Sequence, residues 1–577
     1  YGLGENIVQG TVNPDELYVF KTTLDKNHAP IIQRQLGHKA IKMVYARDNA
    51  AGLSTRNVHV HEDDRKRFSI DDNDALELAR FAIRIEQHYS SHAGKAVPMD
   101  IEWAKDGIDG KIYILQARPE TVQSLLRAPS QDLYHLNEHS RVLATGKSIG
   151  TRIAKGRAHI ILEAAFMREL QPGEVLVTDI TDPDWEPIMK IASAIVTNRG
   201  GRTCHSAIVA RELGIPAVVG CTNATHSIVN GSEVTVSCAE GDSGFVYEGL
   251  LSFTHHVQEF KKTKKPDTKL MVNIANPEKA FETSFLPSEG VGLARLEFII
   301  NTMIRIHPQA LLSYDTLNRE TQSKIDYITR GYADRRSFYV NKLAEGIGTI
   351  AAAFYPRPVI VRLSDFKSNE YASLIGGDEF EPNEENPMIG FRGASRYPSD
   401  SFNACFAMEC DALKQVRNLM GLDNVSVMVP FVRSLEEAHK TLALMAQNGL
   451  QRESENLKIY LMCELPVNAL QADEFLELFD GFSIGSNDLT QLTLGVDRDS
   501  GLLHGYDERN PAVKQLMKLA IDACHRQQKY IGICGQAPSD FPEITTWLVE
   551  QGIDSISLNP DSIIPMYDVV LQAEQKH

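Results

Sequence analysis

The eight cysteines include no C-x-x-C pair, no apolar run reaches the roughly 18 residues of a membrane helix, and neither a low-complexity tract nor a P-loop occurs. Zinc ribbons and a disulfide framework are therefore disfavoured, and reduced thiols in a cytoplasmic setting are expected. No membrane partner is expected, and any nucleotide must be held by something other than a Walker loop. Positive charge is also scarce. Lys and Arg number 59 against 76 Asp and Glu, a net charge of −17 that repels nucleic acid and anionic lipid. Phosphate binding then has to come from arginines gathered locally against the overall field. The chain lacks an initial Met as well. Tyr1-Gly-Leu-Gly-Glu-Asn-Ile-Val-Gln-Gly10 reads as the inside of a domain, so a preceding portion is expected, and a removed signal peptide stays open.

What remains is a folded composition, 43% apolar and 23% charged over 577 residues. That length suits about three or four domains. Residues 1–121 hold an amphipathic helix from Asp74 to about His88. Two strand-like runs follow, Met99–Lys105 and Lys111–Arg118, around the turn-forming Asp106-Gly107-Ile108-Asp109-Gly110. Residues 122–143 are polar and unpatterned and read as a linker. Residues 144–249 form a small α/β unit with buried strands at Gly173–Thr178, Ala194–Thr197, Ala217–Gly220 and Glu233–Val236. A second linker covers 250–268. From 269 to 577, apolar strands alternate with helical segments. The strands fall at Leu270–Ile274, Val291–Ala294, Val359–Val361, Val425–Val429, Lys458–Cys463, Gly481–Ile484 and Tyr530–Ile533, with one more expected near Ile389–Arg392. The alternation argues for a parallel (β/α)8 barrel, with an open doubly wound sheet as the competing architecture.

The segment from Asn198 to Pro216 carries the sharpest chemical signal. Thr203 suits an N-cap, Gly214 a helix stop, and Pro216 cannot continue a helix, so His205 falls in the first turn. Unpaired backbone N–H groups and the positive end of the helix dipole favour an anion there. Arg199 and Arg202 are close in sequence, and Gly200 and Gly201 remove side chains that would block approach. A phosphoryl group carried on the imidazole fits this pattern. A buried histidine behind a Gly-Gly turn fits the same spacing.

In a (β/α)8 barrel the chemistry sits at the carboxyl ends of the strands. Polar residues after the apolar runs are Arg295, Arg362, Glu464, Asn487 and Asp488, with Arg498 shortly after, and the thiol Cys534. Arg392 lies in Met388-Ile-Gly-Phe-Arg-Gly-Ala394. Each alone is an ordinary loop residue, and Cys534 alone an ordinary buried one. Together on one rim, four arginines and two carboxylates suit a phosphorylated carboxylic acid bridged by a divalent metal. In the hairpin, strand alternation puts Asp100 and Glu102 on one face, and likewise Gln116 and Arg118. Pairing Asp106 with Ile112 sets Asp100 opposite Arg118 and Glu102 opposite Gln116. Cross-strand pairs on a solvated sheet are the competing reading.

Asp182-Pro-Asp-Trp-Glu-Pro-Ile-Met-Lys190, Thr197-Asn-Arg-Gly-Gly-Arg-Thr-Cys-His205 and Arg211-Glu-Leu-Gly-Ile-Pro-Ala-Val-Val-Gly220 carry a resemblance. They resemble the phosphohistidine domain of the phosphoenolpyruvate synthase family, which is related to pyruvate phosphate dikinase and to enzyme I of the sugar phosphotransferase system. The Arg-Thr-Cys-His form is closer to the synthases than to the dikinases, where Met-Thr-Ser-His is typical. Gly485-Ser-Asn-Asp-Leu-Thr-Gln491 and Gly532-Ile-Cys-Gly535 are similar to the family's barrel. Met99-Asp-Ile-Glu-Trp103 and Ile114-Leu-Gln-Ala-Arg-Pro-Glu-Thr121 are similar to the end of its ATP-grasp domain. The resemblance implies conversion of ATP, pyruvate and water to AMP, phosphoenolpyruvate and phosphate, supplying gluconeogenesis, with the dikinase reaction as the alternative. It implies a phosphorylated His205 on a swivelling domain, Mg²⁺ at Glu464 and Asp488, substrate orientation by Asn487 and the arginines, and proton transfer by Cys534. It implies ATP contacts at Asp100, Glu102, Gln116 and Arg118, with Glu102 and Gln116 also meeting Mg²⁺. A bifunctional regulatory kinase and phosphorylase acting on Thr203, and a homodimer formed through the barrel, belong to the same implication.

Overall fold

The structure, a computed structural model, describes residues 2–8, 11–26, 28–46, 54–120, 130–181, 185–200, 204–240, 243–260, 264–497 and 505–576. Eight parallel strands close the C-terminal barrel: Lys269–Ile274, Val291–Arg295, Val359–Arg362, Val425–Val429, Ile459–Cys463, Gly481–Ile484, Tyr530–Ile533 and Ser555–Leu558. The last strand pairs with the first, from Lys269 opposite Ser555 to Val272 opposite Leu558, which excludes the open sheet. The strands read as continuous apolar runs because helices cover their outer faces while side chains fill the interior. Leu293, Ile360, Met428, Met462 and Cys534 form a small buried layer of their own. The larger core lies between the strands and the helices.

Seven strands fall on the expected runs, and the eighth does not. Near Ile389–Arg392 the chain makes a 3-10 turn, Pro387–Ile389, and the closing strand is Ser555–Leu558 instead. Its Ser-Ile-Ser-Leu sequence conceals it. Ser555 and Ser557 are each 1% exposed, and the Ser555 hydroxyl bonds the Tyr530 hydroxyl at 2.6 Å. Serines buried inside a barrel erase the apolar run that marks a strand.

The unit expected as a small α/β domain is a closed seven-stranded barrel. Three strands beyond the expected four complete it: Val142–Ile149, Ile153–Ile160 and Ser243–Glu248. Period-two alternation divides its core. Val175, Val177 and Val196 join one cluster, while Leu176 and Ile195 join another with Ala207 and Ala210 of the helix His205–Leu213. The two polar segments read as linkers also carry structure. Ser130–Leu136 pairs antiparallel with Phe253–Glu259, so the chain enters and leaves this domain along one ribbon.

In the N-terminal region the amphipathic helix runs Asp72–Ala93, longer at both ends than expected. Asp71 and Asp74 form a capping box at its start, and Gly94 at φ 65° stops it. The hairpin pairs Met99–Lys105 with Ile112–Pro119. At the turn Lys105, not Asp106, faces Ile112. A bulge between Glu102 and Trp103 then restores Glu102 opposite Gln116 and Asp100 opposite Arg118. The strand Ile31–Gln35 packs on the barrel helix Arg335–Phe354, where the Lys342 ammonium donates to the Arg34 carbonyl at 2.9 Å.

Candidate active site

His205 opens the helix His205–Leu213, and Cys204 rather than Thr203 occupies the N-cap position, making no side-chain cap bond. The first-turn amides are therefore not covered by a cap side chain. Gly214, at φ 69°, ends the helix. Gly200 has φ 109°, and a Cβ there would stand 2.7 Å from the Cys204 sulfur, so the approach to the helix requires glycine. Thr203, Arg202, Gly201, Asp182 and Arg498 lie outside the described residues. Arg199 is engaged by Asp179, its Nε donating at 2.9 Å. The Thr181 hydroxyl lies 3.2 Å from His205 Nδ1.

The imidazole lies within electrostatic reach of the C-terminal barrel. Burial lowers its pKa from 6.5 to about 4, while the barrel groups Glu370 and Lys367 act on it in opposite senses. At neutral pH the lowered value favours the uncharged ring. The neutral imidazole is the form that can attack phosphorus. Lys367 and Glu370 pair at 3.2 Å. Two further contacts join the domains: Arg211 lies 3.5 Å from Asp540, and the Lys190 ammonium sits 5.8 Å from the centre of the Phe298 ring. Beside them a cavity of about 430 Å³ opens between the helix His205–Leu213, the ribbon and the barrel.

At the barrel mouth the expected residues converge. Arg295 and Arg362 end adjacent strands in register. Arg362 donates to Glu297 at 3.0 Å and approaches Asp365 at 3.4 Å. Arg392, 3% exposed, makes a fork to Asp365 with Nε and Nη2 at 3.0 and 2.6 Å. Its Nη1 lies 3.4 Å from Asp488, and its guanidinium 4.0 Å from the centre of the Phe431 ring. Asn487 accepts from the Gln536 amide at 2.8 Å. Burial, with Asp488 and Asp365 adding repulsion, pushes the Glu464 carboxyl well above its ordinary value, against the pull of Arg392 and Arg362. Glu464 Oε1 accepts from the Phe431 amide at 2.7 Å, whereas Oε2 is buried without a partner. Glu297 Oε2 and Arg362 Nε are also buried and unpartnered. Such orphaned atoms are costly in a finished core and are what a ligand site leaves open. Gly485 leaves room beside the Glu464 carboxylate, since a Cβ there would stand 3.1 Å from Oε2.

Two carboxylates and an orphaned oxygen fit Mg²⁺, which takes one or two protein carboxylates and completes its shell with substrate and water. No cluster of three or more metal-ligating side chains occurs among the described residues. Burial raises the Cys534 thiol to about 11, against a hydrogen bond from Ser483 and the pull of Arg362 and Arg295. The thiol therefore rests protonated at neutral pH. Asp365 and Glu297 were not singled out from sequence, though each lies within three residues of Arg362 or Arg295. Counting only the first polar residue after each strand misses them. Thr181 reaches His205 from 24 residues away within the same domain, and Lys367 and Glu370 act on it only across a domain boundary, so none has a sequence signal of its own.

The hairpin groups differ in kind. Asp100, Glu102, Gln116 and Arg118 share one face but all are exposed. Arg118 Nε donates to Asp100 at 2.9 Å.

Comparison with known proteins now bears on the site. The PEP-binding domain of PEP-utilising enzymes matches residues 253–575, their mobile domain 170–241, and the AMP/ATP-binding domain of pyruvate phosphate dikinase 1–135. A phosphoenolpyruvate synthase of Pseudomonas aeruginosa is 58% identical over 100% of this chain and 72% of its own length. The chain belongs to the phosphoenolpyruvate synthase family. Other relatives of that name come from Neisseria meningitidis, at 57% identity over 98% of this chain and 70% of that protein, and Escherichia coli, at 55% over 98% and 70%. These relatives favour a phosphoenolpyruvate synthase over a dikinase, and the nucleotide-domain match makes ATP the phosphoryl source of the family.

Proposed function

We propose that this chain carries out the synthase reaction with His205 as its phosphoryl shuttle. A pyrophosphoryl group passes from ATP to the imidazole as the bond to AMP breaks. Water then removes the terminal phosphate, and the remaining phosphoryl group moves to the enolate oxygen of pyruvate. Thr181 at Nδ1 leaves Nε2 to take phosphorus. The observation that carries the reading is His205 at a helix start within electrostatic reach of Glu370 and Lys367, on a domain seated against a barrel whose mouth gathers buried arginines and carboxylates.

Pyruvate must lose a methyl proton before its oxygen can accept phosphoryl, and the charge that develops there needs fixed positive groups in a dry site. Arg295, Arg362 and Arg392 supply them. Mg²⁺ held by Glu464 and Asp488 would add charge at the enolate and phosphoryl oxygens. Asn487 orients the substrate. In the synthetic direction the thiolate form of Cys534, favoured by the pull of Arg362 and Arg295, takes the methyl proton and becomes the thiol, and in the reverse direction that thiol, the predominant form at neutral pH, returns the proton to the methylene carbon. At the other site Asp100, Glu102, Gln116 and Arg118 present ATP, with Mg²⁺ near Glu102 and Gln116. The central domain swings between the sites on the paired ribbon. A phosphorylated Thr203, two residues from His205, would place a dianion against the incoming phosphoryl group, so a regulatory kinase would silence the enzyme there. A homodimer and a cytoplasmic setting complete the proposal; no helix among the described residues is long and apolar enough to cross a membrane.

ATP labelled at the β-phosphate tests it. Label should appear on His205 in peptides mapped under alkaline conditions, and phosphate rather than pyrophosphate should be released. Product formation with no label on His205 would defeat the mechanism, and pyrophosphate release would favour the dikinase.

A further inference from the structure

We infer that Glu409 is a positioning residue of the barrel site, acting through the turn that carries Asp365; the inference rests on the barrel being the enolate site. Glu409 lies on the helix Asn403–Lys414, away from the mouth, and is 1% exposed. Both its oxygens are committed to one residue. The Ser364 amide donates to Oε1 at 2.8 Å and the Ser364 hydroxyl to Oε2 at 2.7 Å. Ser364 is otherwise held by Tyr371, whose hydroxyl donates to its Oγ at 3.2 Å, and by Tyr397, whose hydroxyl donates to its carbonyl at 2.7 Å. Every polar atom of Ser364 is thus fixed from behind.

The reason for such a clamp lies one residue on. The chain leaves the strand Val359–Arg362 with the Leu363 amide still bonded to the Met428 carbonyl at 3.0 Å. The next two amides have no strand to pair with. Glu409 takes that of Ser364, and Glu297 takes that of Asp365 at 2.6 Å. Asp365 then aims Arg392 through its fork, and Glu297 also receives Arg362. The placement of two substrate-facing guanidiniums therefore depends on where residues 364 and 365 stand, and Glu409 sets that position from outside the site. Among the described residues Glu409 makes no ion pair. Burial pushes it up to about 7, with the two Ser364 bonds pulling it down. A carboxylate kept in a core without a cation is costly, and an amide or apolar group would serve a purely structural role more cheaply.

The test uses the full-length enzyme and measures two half-reactions separately: exchange of label between pyruvate and phosphoenolpyruvate, and labelling of His205 from ATP. Glu409→Gln keeps the shape but cannot accept both Ser364 bonds as a carboxylate does. It should lower kcat for exchange by about 10- to 100-fold, as a small misplacement of catalytic groups does. Labelling of His205 should stay within about twofold of wild type. Ser364→Ala should produce the same split. The double variant should be no worse than the worse single one, because both break one interaction. Unchanged exchange in Glu409→Gln would overturn the inference. So would equal losses in both half-reactions, or full additivity in the double variant. Wild-type enzyme with no exchange at all would sink the functional reading, and the inference with it.

Discussion

The barrel mouth and the N-terminal hairpin both set carboxylates against arginines, yet they do so in opposite physical settings. At the mouth, Asp365, Arg392, Arg362, Glu297 and Glu464 interlock in a nearly dry space, and unpartnered atoms point where a ligand would stand. On the hairpin, Asp100 and Arg118 pair across an exposed face, side-chain exposures being 47% and 65%. A buried ion pair in low dielectric fixes geometry strongly and is expensive to break. An exposed pair contributes about 0–1 kcal/mol and rearranges freely. On the proposed reading, one site is built before its substrate arrives and the other is a face that ATP would organise.

As the proposed shuttle, His205 would serve both halves, so its removal should have the largest effect. His205→Ala should reduce both half-reactions below about 10⁻⁴ of wild type, as loss of a covalent nucleophile does. Retained exchange at the barrel would mean that the two regions are not joined by this residue. Cys534→Ala should separate them. Exchange should fall by about 10²- to 10⁴-fold, the contribution of positioned proton transfer, while His205 is still labelled from ATP. Full turnover in that variant would make the thiol only a member of the interior layer.

Asp365→Asn probes preorganisation directly. It leaves Arg392 buried without its fork, so urea unfolding should show a loss of about 3–5 kcal/mol together with loss of exchange. Arg118→Ala is its counterpart on the hairpin. It should alter stability by less than about 1 kcal/mol while slowing only the labelling of His205, by about tenfold. Equal destabilisation by the two would erase the contrast. The smallest effect concerns pH. The folded-state pKa of His205 is lowered, so the docked domain holds the ring neutral while an open ring binds a proton below 6.5. Docking should weaken as pH falls from 6.5 to about 4, and the ring should titrate by NMR near 4 rather than 6.5. A midpoint at 6.5 would mean that the domain is not seated on the barrel in solution.

Much of the barrel was legible because its strands are short apolar runs at regular intervals. The strand that escaped, Ser555–Leu558, buries two serines where apolar side chains are the rule. The hairpin partners Asp100–Arg118 and Glu102–Gln116 could be named from alternation, although a bulge at Glu102 delivers them by a different register at the turn. Three strands of the central barrel were invisible. In Ile153–Ile160, for example, Lys155 and Arg157 interrupt the pattern on the outward face.

By itself the sequence determined that His205 begins a helix, that arginines and carboxylates end successive strands, and that the chain has three regions. Those are local matters of capping, periodicity and strand length. Only the tertiary structure decided that Asp365 and Glu297 hold the arginines, that Glu409 braces them from behind, and that the charges of Glu370 and Lys367 act on His205. These groups lie far apart in the chain, and their chemistry arises from burial and charge that no single segment contains.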